Sequence, residues 1–179
     1  MARIAFVLGE DFEDSEFRKP YDALTKAGHT VDVLGAQAGG VMNGKQGKEH
    51  VKIEASAADQ TPASYDALVI PGGYSPDHLR TNPGVVAFVQ AMVRGGKLIA
   101  AVCHGPQLLI EVDAVRGKTV TSWPSVKTDL KNAGATWVDR EVVVDGKLIT
   151  SRKPDDLPAF AEAINANLGS PRSQAHAGR

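Results

Sequence analysis

The chain has 179 residues, 42% hydrophobic and 23% charged, the balance of a single globular domain rather than a fibrous or disordered protein. Twenty basic and 21 acidic side chains leave a formal charge of −1, which gives no electrostatic reason to expect a stable nucleic-acid complex or an anionic membrane as partner. One cysteine cannot form an internal disulfide, and no signal-peptide pattern or bilayer-length apolar run of roughly 20 residues is seen, so a cytoplasmic protein is expected.

Apolar runs and amphipathic stretches alternate along the chain. Arg3 to Leu8 reads as a buried strand ending at Gly9, and Glu13 to Ala27 as a helix through Phe17, Tyr21 and Leu24 that Pro20 should kink or delay. Thr30 to Leu34 is a second strand, Val51 to Glu54 a half-polar edge strand, and Tyr65 to Ile70 a buried strand closed by Pro71-Gly72-Gly73. A helix over Pro83 to Arg94 leads into the strand Leu98 to Val102. Further on come a helix over Gln107 to Val112, a strand over Thr119 to Ser122 and a helix over Ser125 to Ala133. Asp145-Gly146 marks a hairpin between Trp137 to Val144 and Lys147 to Ser151, and Pro154 to Leu168 is the closing helix. Residues 1–168 thus read as one domain, and 169–179 as a flexible tail. The alternation predicts an α/β three-layer sandwich with a mostly parallel sheet, whose ligands sit at the carboxyl ends of the strands.

Three turns meet at that rim. Ile99-Ala100-Ala101-Val102-Cys103-His104-Gly105-Pro106-Gln107 is an apolar strand running into Gly and Pro, which puts Cys103 on a sharp strand-to-helix bend, a nucleophile elbow. A lone cysteine is most often a small buried hydrophobe. At a helix N-terminus, however, the local potential favours thiolate, so Cys103 is expected to titrate below an ordinary thiol. The first turn carries five carboxylates in seven residues, Glu10 to Glu16, most of them a solvated helix start. One of them leaning over Cys103 must keep its proton and donate to the sulfur, and Glu13, at the opening of the helix, is the expected one. Gly72 and Gly73 let backbone approach a ligand and expose an N–H that, with the N–H of His104, forms a candidate oxyanion hole. His104 is the candidate base, with Asp77 or Glu13 placed to orient it. No histidine or cysteine cluster has metal-ligand spacing, so no metal is expected.

Phe12-Glu13-Asp14-Ser15-Glu16, Asp66 to Gly73, Ala101 to Gln107, Asn132 to Ala135, and Glu141 to Gly146 through Thr150-Ser151-Arg152 and Pro154 to Leu157 together resemble the PfpI family. This is the intracellular protease I branch of the superfamily that includes the Parkinsonism-associated deglycase and is akin to class I glutamine amidotransferases. The resemblance runs in order from about Arg3 to Leu168. It implies a flavodoxin-like sandwich with Cys103 as nucleophile, Glu13 as its carboxylate partner, His104 as catalytic histidine, and Gly73 and His104 N–H groups as oxyanion donors. Gly72, Gly73 and Glu16 are the expected substrate-binding residues, and Asp77 stands where some members place a glutamate from a neighbouring subunit. An amidotransferase is a poorer match, because the chain lacks the His-x-Glu pair and has Ala101 where that elbow carries glycine.

The implied activity is that of a cofactor-free cysteine hydrolase of the stress response. As a deglycase with glyoxalase-III-like action, it would take small carbonyl compounds and glycated proteins or nucleotides. The alternatives are an intracellular cysteine peptidase and, in another class, a non-enzymatic sensor working through oxidation of Cys103. Self-association as a dimer or hexamer is expected, because Tyr74 to Leu79 reads as an exposed loop with apolar content beside the site.

Overall fold

The computed structural model describes residues 1–168, and the tail expected over 169–179 lies outside the described residues. A seven-stranded sheet forms the middle layer in the order β10-β11-β7-β6-β1-β2-β5. Its strands are β1 (Arg3–Val7), β2 (Thr30–Gly35), β5 (Ala55–Ser56), β6 (Ala67–Ile70), β7 (Leu98–Val102), β10 (Val142–Asp145) and β11 (Leu148–Ser151). All neighbours are parallel except β10 with β11, so the sheet is mostly parallel as expected.

Parallel strands need crossovers, and the helices that supply them cover both faces. On one face Phe17 and Leu24 of α1 (Asp14–Lys26) and Leu157, Phe160 and Ile164 of α6 (Leu157–Leu168) pack on Ile4, Phe6, Val69 and Ala100. On the other, α3 (Pro83–Arg94), α4 (Pro106–Glu111) and α5 (Lys127–Asn132) bring Phe88, Met92, Leu108 and Leu130 against Ala5, Leu68 and Ile99. The strands are buried on both sides, which is why they read as continuous apolar runs rather than alternating ones. None of the described helices is long and apolar enough to cross a membrane.

Several expected boundaries move. Helix α1 continues through Pro20, whose missing N–H is offset by an aromatic face in which Phe17 meets Phe6 edge-on at 5.8 Å. The half-polar segment at Val51 is not the sheet edge: β4 (His50–Lys52) pairs with β3 (Val41–Asn43) in a separate antiparallel hairpin, and Ala55–Ser56 takes the edge beside β2. The Tyr74 to Leu79 segment contains a short helix, α2 (Ser75–Leu79), started by Pro76 in its first turn. The stretch expected as one strand from Trp137 splits, because β9 (Thr136–Trp137) pairs with β8 (Thr119–Val120) outside the main sheet and β10 starts only at Val142. The hairpin tip is Gly146-Lys147, one residue later than expected, with Gly146 at φ +60° supplying the turn.

Candidate active site

Strand β7 ends at Val102, and the next residue turns the chain sharply. Cys103 has φ +62°, a left-handed conformation that a side chain adopts only when its surroundings enforce it. The Cys103 N–H donates to Ser151 O at 3.0 Å, and the Cys103 carbonyl accepts from Trp123 N–H at 3.0 Å. Gly105 N–H closes the bend on Val102 O at 2.8 Å, and a Cβ on Gly105 would lie 2.5 Å from Ile70 O. Only glycine fits there, so the Gly-Pro pair after His104 is the sequence signature of this elbow.

The carboxyl group facing the thiol belongs to Glu16, not Glu13. Glu13 is the residue that caps α1, and Glu16 lies nearly one turn further in, where the helix faces the sheet. Glu16 is 0% exposed, its Oε1 accepts from Gly72 N–H at 2.9 Å, and its Oε2 has no other oxygen or nitrogen partner. A Cβ on Gly72 would sit 2.5 Å from Glu16 Oε1, 2.9 Å from His104 N and 3.0 Å from Cys103 Cβ, so that glycine is the space in which the three groups meet. Burial and the nearby Glu13 charge push Glu16 up to about 8, so it carries a proton at neutral pH. The buried position expected for a hydrogen-bonding acid is therefore occupied, but by the residue expected to bind substrate. Glu16 has no surface with which to do that.

Burial and Glu16 also push the Cys103 thiol up, against the opposing pull of the His104 N–H and Lys45. This reverses the expectation of a thiol below the ordinary range. The helix after the elbow has only six residues, and its end does not outweigh desolvation of a side chain 8% exposed. The resting site holds a thiol and needs a base.

His104 supplies one. Its Nδ1 is 3.3 Å from Cys103 Sγ, a contact between sequence neighbours that the left-handed bend makes attainable. Burial and Lys45 lower its pKa, so the ring is neutral and free to accept a proton near pH 7. Its Nε2 faces Ser125 Oγ at 3.3 Å. Neither Asp77 nor Glu13 orients the ring within this chain: Asp77 lies on the exposed side of α2, and Glu13 is engaged elsewhere. Glu13 accepts from Gln46 Nε2 at 3.1 Å and Ser15 Oγ at 3.3 Å, and pairs with Lys45 Nζ at 3.2 Å.

The Gly73 backbone lies close against the chain's own Asp11–Glu13 backbone. It has φ +72°, and a Cβ there would strike the Phe12–Glu13 backbone. Gly73 N–H and His104 N–H have no oxygen acceptor among the described residues, whereas Gly72 N–H is spent on Glu16. Ser125, Lys45 and Gln46 were not singled out from the sequence. Ser125 follows a Trp-Pro pair that carries no motif, and the two loop residues sit in a polar stretch with no periodicity.

The chain is similar to known proteins over nearly all of its described length. The chain is 50% identical over 168 residues to protein/nucleic acid deglycase 2 of Escherichia coli, covering 93% of this chain and 98% of the relative. It is 46% identical over 159 residues to general stress protein 18 of Bacillus subtilis, covering 88% and 92% of the two chains. The crystal structure of Drosophila melanogaster DJ-1beta superposes with a TM-score of 0.85 at 32% identity, covering 97% of this chain and 94% of that one. The DJ-1/PfpI family profile matches residues 2–167, nearly all of the described residues, and the chain belongs to the DJ-1/PfpI family.

Proposed function

We propose that the protein is a cofactor-free cysteine hydrolase that removes 2-oxoaldehydes and their early adducts from amines and thiols, a deglycase with glyoxalase-III-like action. The observation that carries this reading is the Glu16–Cys103–His104 cluster, in which a protonated carboxyl group and a neutral imidazole both border one thiol. The identity with the Escherichia coli deglycase supports the substrate class, and that with general stress protein 18 supports a role under stress.

In this reading His104 Nδ1 takes the thiol proton, and Cys103 Sγ attacks the carbonyl carbon. The oxygen that becomes negative is received by Gly73 and His104 N–H groups. Converting a 2-oxoaldehyde to a 2-hydroxy acid adds one water and is redox-neutral, because one carbonyl carbon is oxidised as its neighbour is reduced. A nucleophile and a proton shuttle therefore suffice, with Glu16 as the carboxyl partner of the thiol.

The test compares methylglyoxal, a methylglyoxal-treated amino acid and a fluorogenic peptide, without glutathione. Wild type is expected to consume the first two and to leave the peptide nearly intact. Peptide hydrolysis with no effect on the adducts would assign the site to a peptidase instead. Cys103 oxidation with no turnover of any substrate would assign it to a sensor.

The same reading includes a homo-oligomer, dimer or hexamer. Tyr74, beside the Gly73 turn, is 63% exposed, and the neighbouring Asp77 is exposed as well. Light scattering at micromolar concentration is expected to give at least a dimer. A monomer would remove Asp77 from any role across an interface.

A further inference from the structure

The hairpin β3–β4 carries groups that this chemistry leaves unused. The Asp14 carboxylate, 4% exposed, accepts the backbone N–H groups of Gln46 at 2.8 Å, Lys48 at 2.9 Å and Glu49 at 2.9 Å. Burial alone would raise its pKa, but those donors outweigh burial and hold it below its ordinary value. A Cβ on Gly44 would collide with the same carboxylate, so the hairpin tip is fitted closely around Asp14. Two further ties fasten it: Lys45 N–H donates to Phe12 O at 2.9 Å, and Asp11 N–H donates to Asn43 O at 2.9 Å.

This tip presents Lys45 and Gln46 to Glu13. Lys45 Nζ stands 3.2 Å from Glu13 Oε2, and Gln46 Nε2 is 3.1 Å from Glu13 Oε1. The ionisable groups around the ammonium are Glu13 and Glu16 from α1 and Cys103 and His104 from the elbow. With Glu16 protonated, Lys45 and Glu13 cancel, and a thiolate is the one uncompensated charge in the site. Without Lys45 the Glu13 charge stands bare beside Glu16, and the cation that favours the Cys103 thiolate is gone.

We propose that Lys45 is a positioning residue of this site, delivered to Glu13 by a loop that Asp14 anchors, and that its charge allows Cys103 to become anionic. The proposal rests on Cys103 being the nucleophile, but it is read without turnover. Wild type, K45M, K45R, D14N and G44A are alkylated with neutral iodoacetamide and anionic iodoacetate, and loss of free thiol is followed. At pH 7, K45M is expected to react with iodoacetamide on the order of tenfold more slowly, and to lose still more rate with iodoacetate. K45R should stay close to wild type. D14N and G44A, which disturb the anchor from opposite sides, should move in the direction of K45M. A K45M protein with wild-type rates toward both reagents overturns the proposal. A slowed K45M beside wild-type D14N and G44A overturns the anchoring half. Failure of wild type to consume methylglyoxal would sink the deglycase reading without touching these rates.

Discussion

Replacing Cys103 with Ser should lower turnover of methylglyoxal and its adducts by at least about a thousandfold, with the fold intact. The hydroxyl is nearly isosteric with the thiol, so Cys103→Ser keeps the left-handed bend and its ties to Ser151 O and Trp123 N–H. What it loses is acidity. Burial and Lys45 keep His104 neutral and free to take a proton, which a thiol yields far more readily than an alcohol. The loss should appear in kcat rather than KM, because the oxyanion donors are backbone N–H groups unaffected by the change. Cys103→Ala separates chemistry from strain, since it keeps the bend and removes the heteroatom. Residual rates in both variants above a tenth of wild type would mean that another group attacks the substrate.

The elbow was legible because its requirements are written locally. A buried strand reads as five apolar residues in a row, and the left-handed turn needs a glycine two residues on, where a Cβ would meet Ile70 O. The mostly parallel α/β architecture was legible for a similar reason, as alternating apolar runs and helices admit few layer arrangements. What was not legible depends on helix phase and on long-range pairing. Glu13 and Glu16 have the same chemistry and lie three residues apart. Which one faces the thiol depends on whether α1 begins at Asp14, and that boundary is set by the Phe12–Gly73 and Phe12–Gly44 bridges. Sequence rules place such boundaries only to within a few residues. The Lys45 loop was equally opaque, because Asp14 recognises its backbone N–H groups, which every residue except proline has. The sign of the Cys103 shift was not legible, because a helix end is visible in a sequence, whereas the depth at which it lies is not.

Glu16→Gln should make the protein more stable and far less active. Glu16 is pushed up from its ordinary 4.5 to about 8 by burial and by Glu13. Between these values the folded chain keeps a proton that the unfolded chain has released, so wild-type stability falls as pH rises through this window. The penalty is absent below the unfolded value, grows by about 1.4 kcal/mol per pH unit and is complete above the folded one. At pH 7 it reaches about 3 kcal/mol as an upper bound. Glutamine does not ionise, its Oε1 still accepts from Gly72 N–H and its amide still donates toward the sulfur. The variant should therefore melt several degrees higher at pH 7, by roughly 2–4 °C per kcal/mol for a domain of this size. Its advantage should shrink toward zero as the pH is lowered to 5. Activity should drop by about a hundredfold, because the amide cannot exchange a proton with the thiol. Urea unfolding of both proteins from pH 5 to pH 8 measures the first effect, and methylglyoxal turnover the second. A stability difference that does not change across that range would mean that Glu16 is already ionised in the folded protein. The proton beside Cys103 would then have to come from His104 alone.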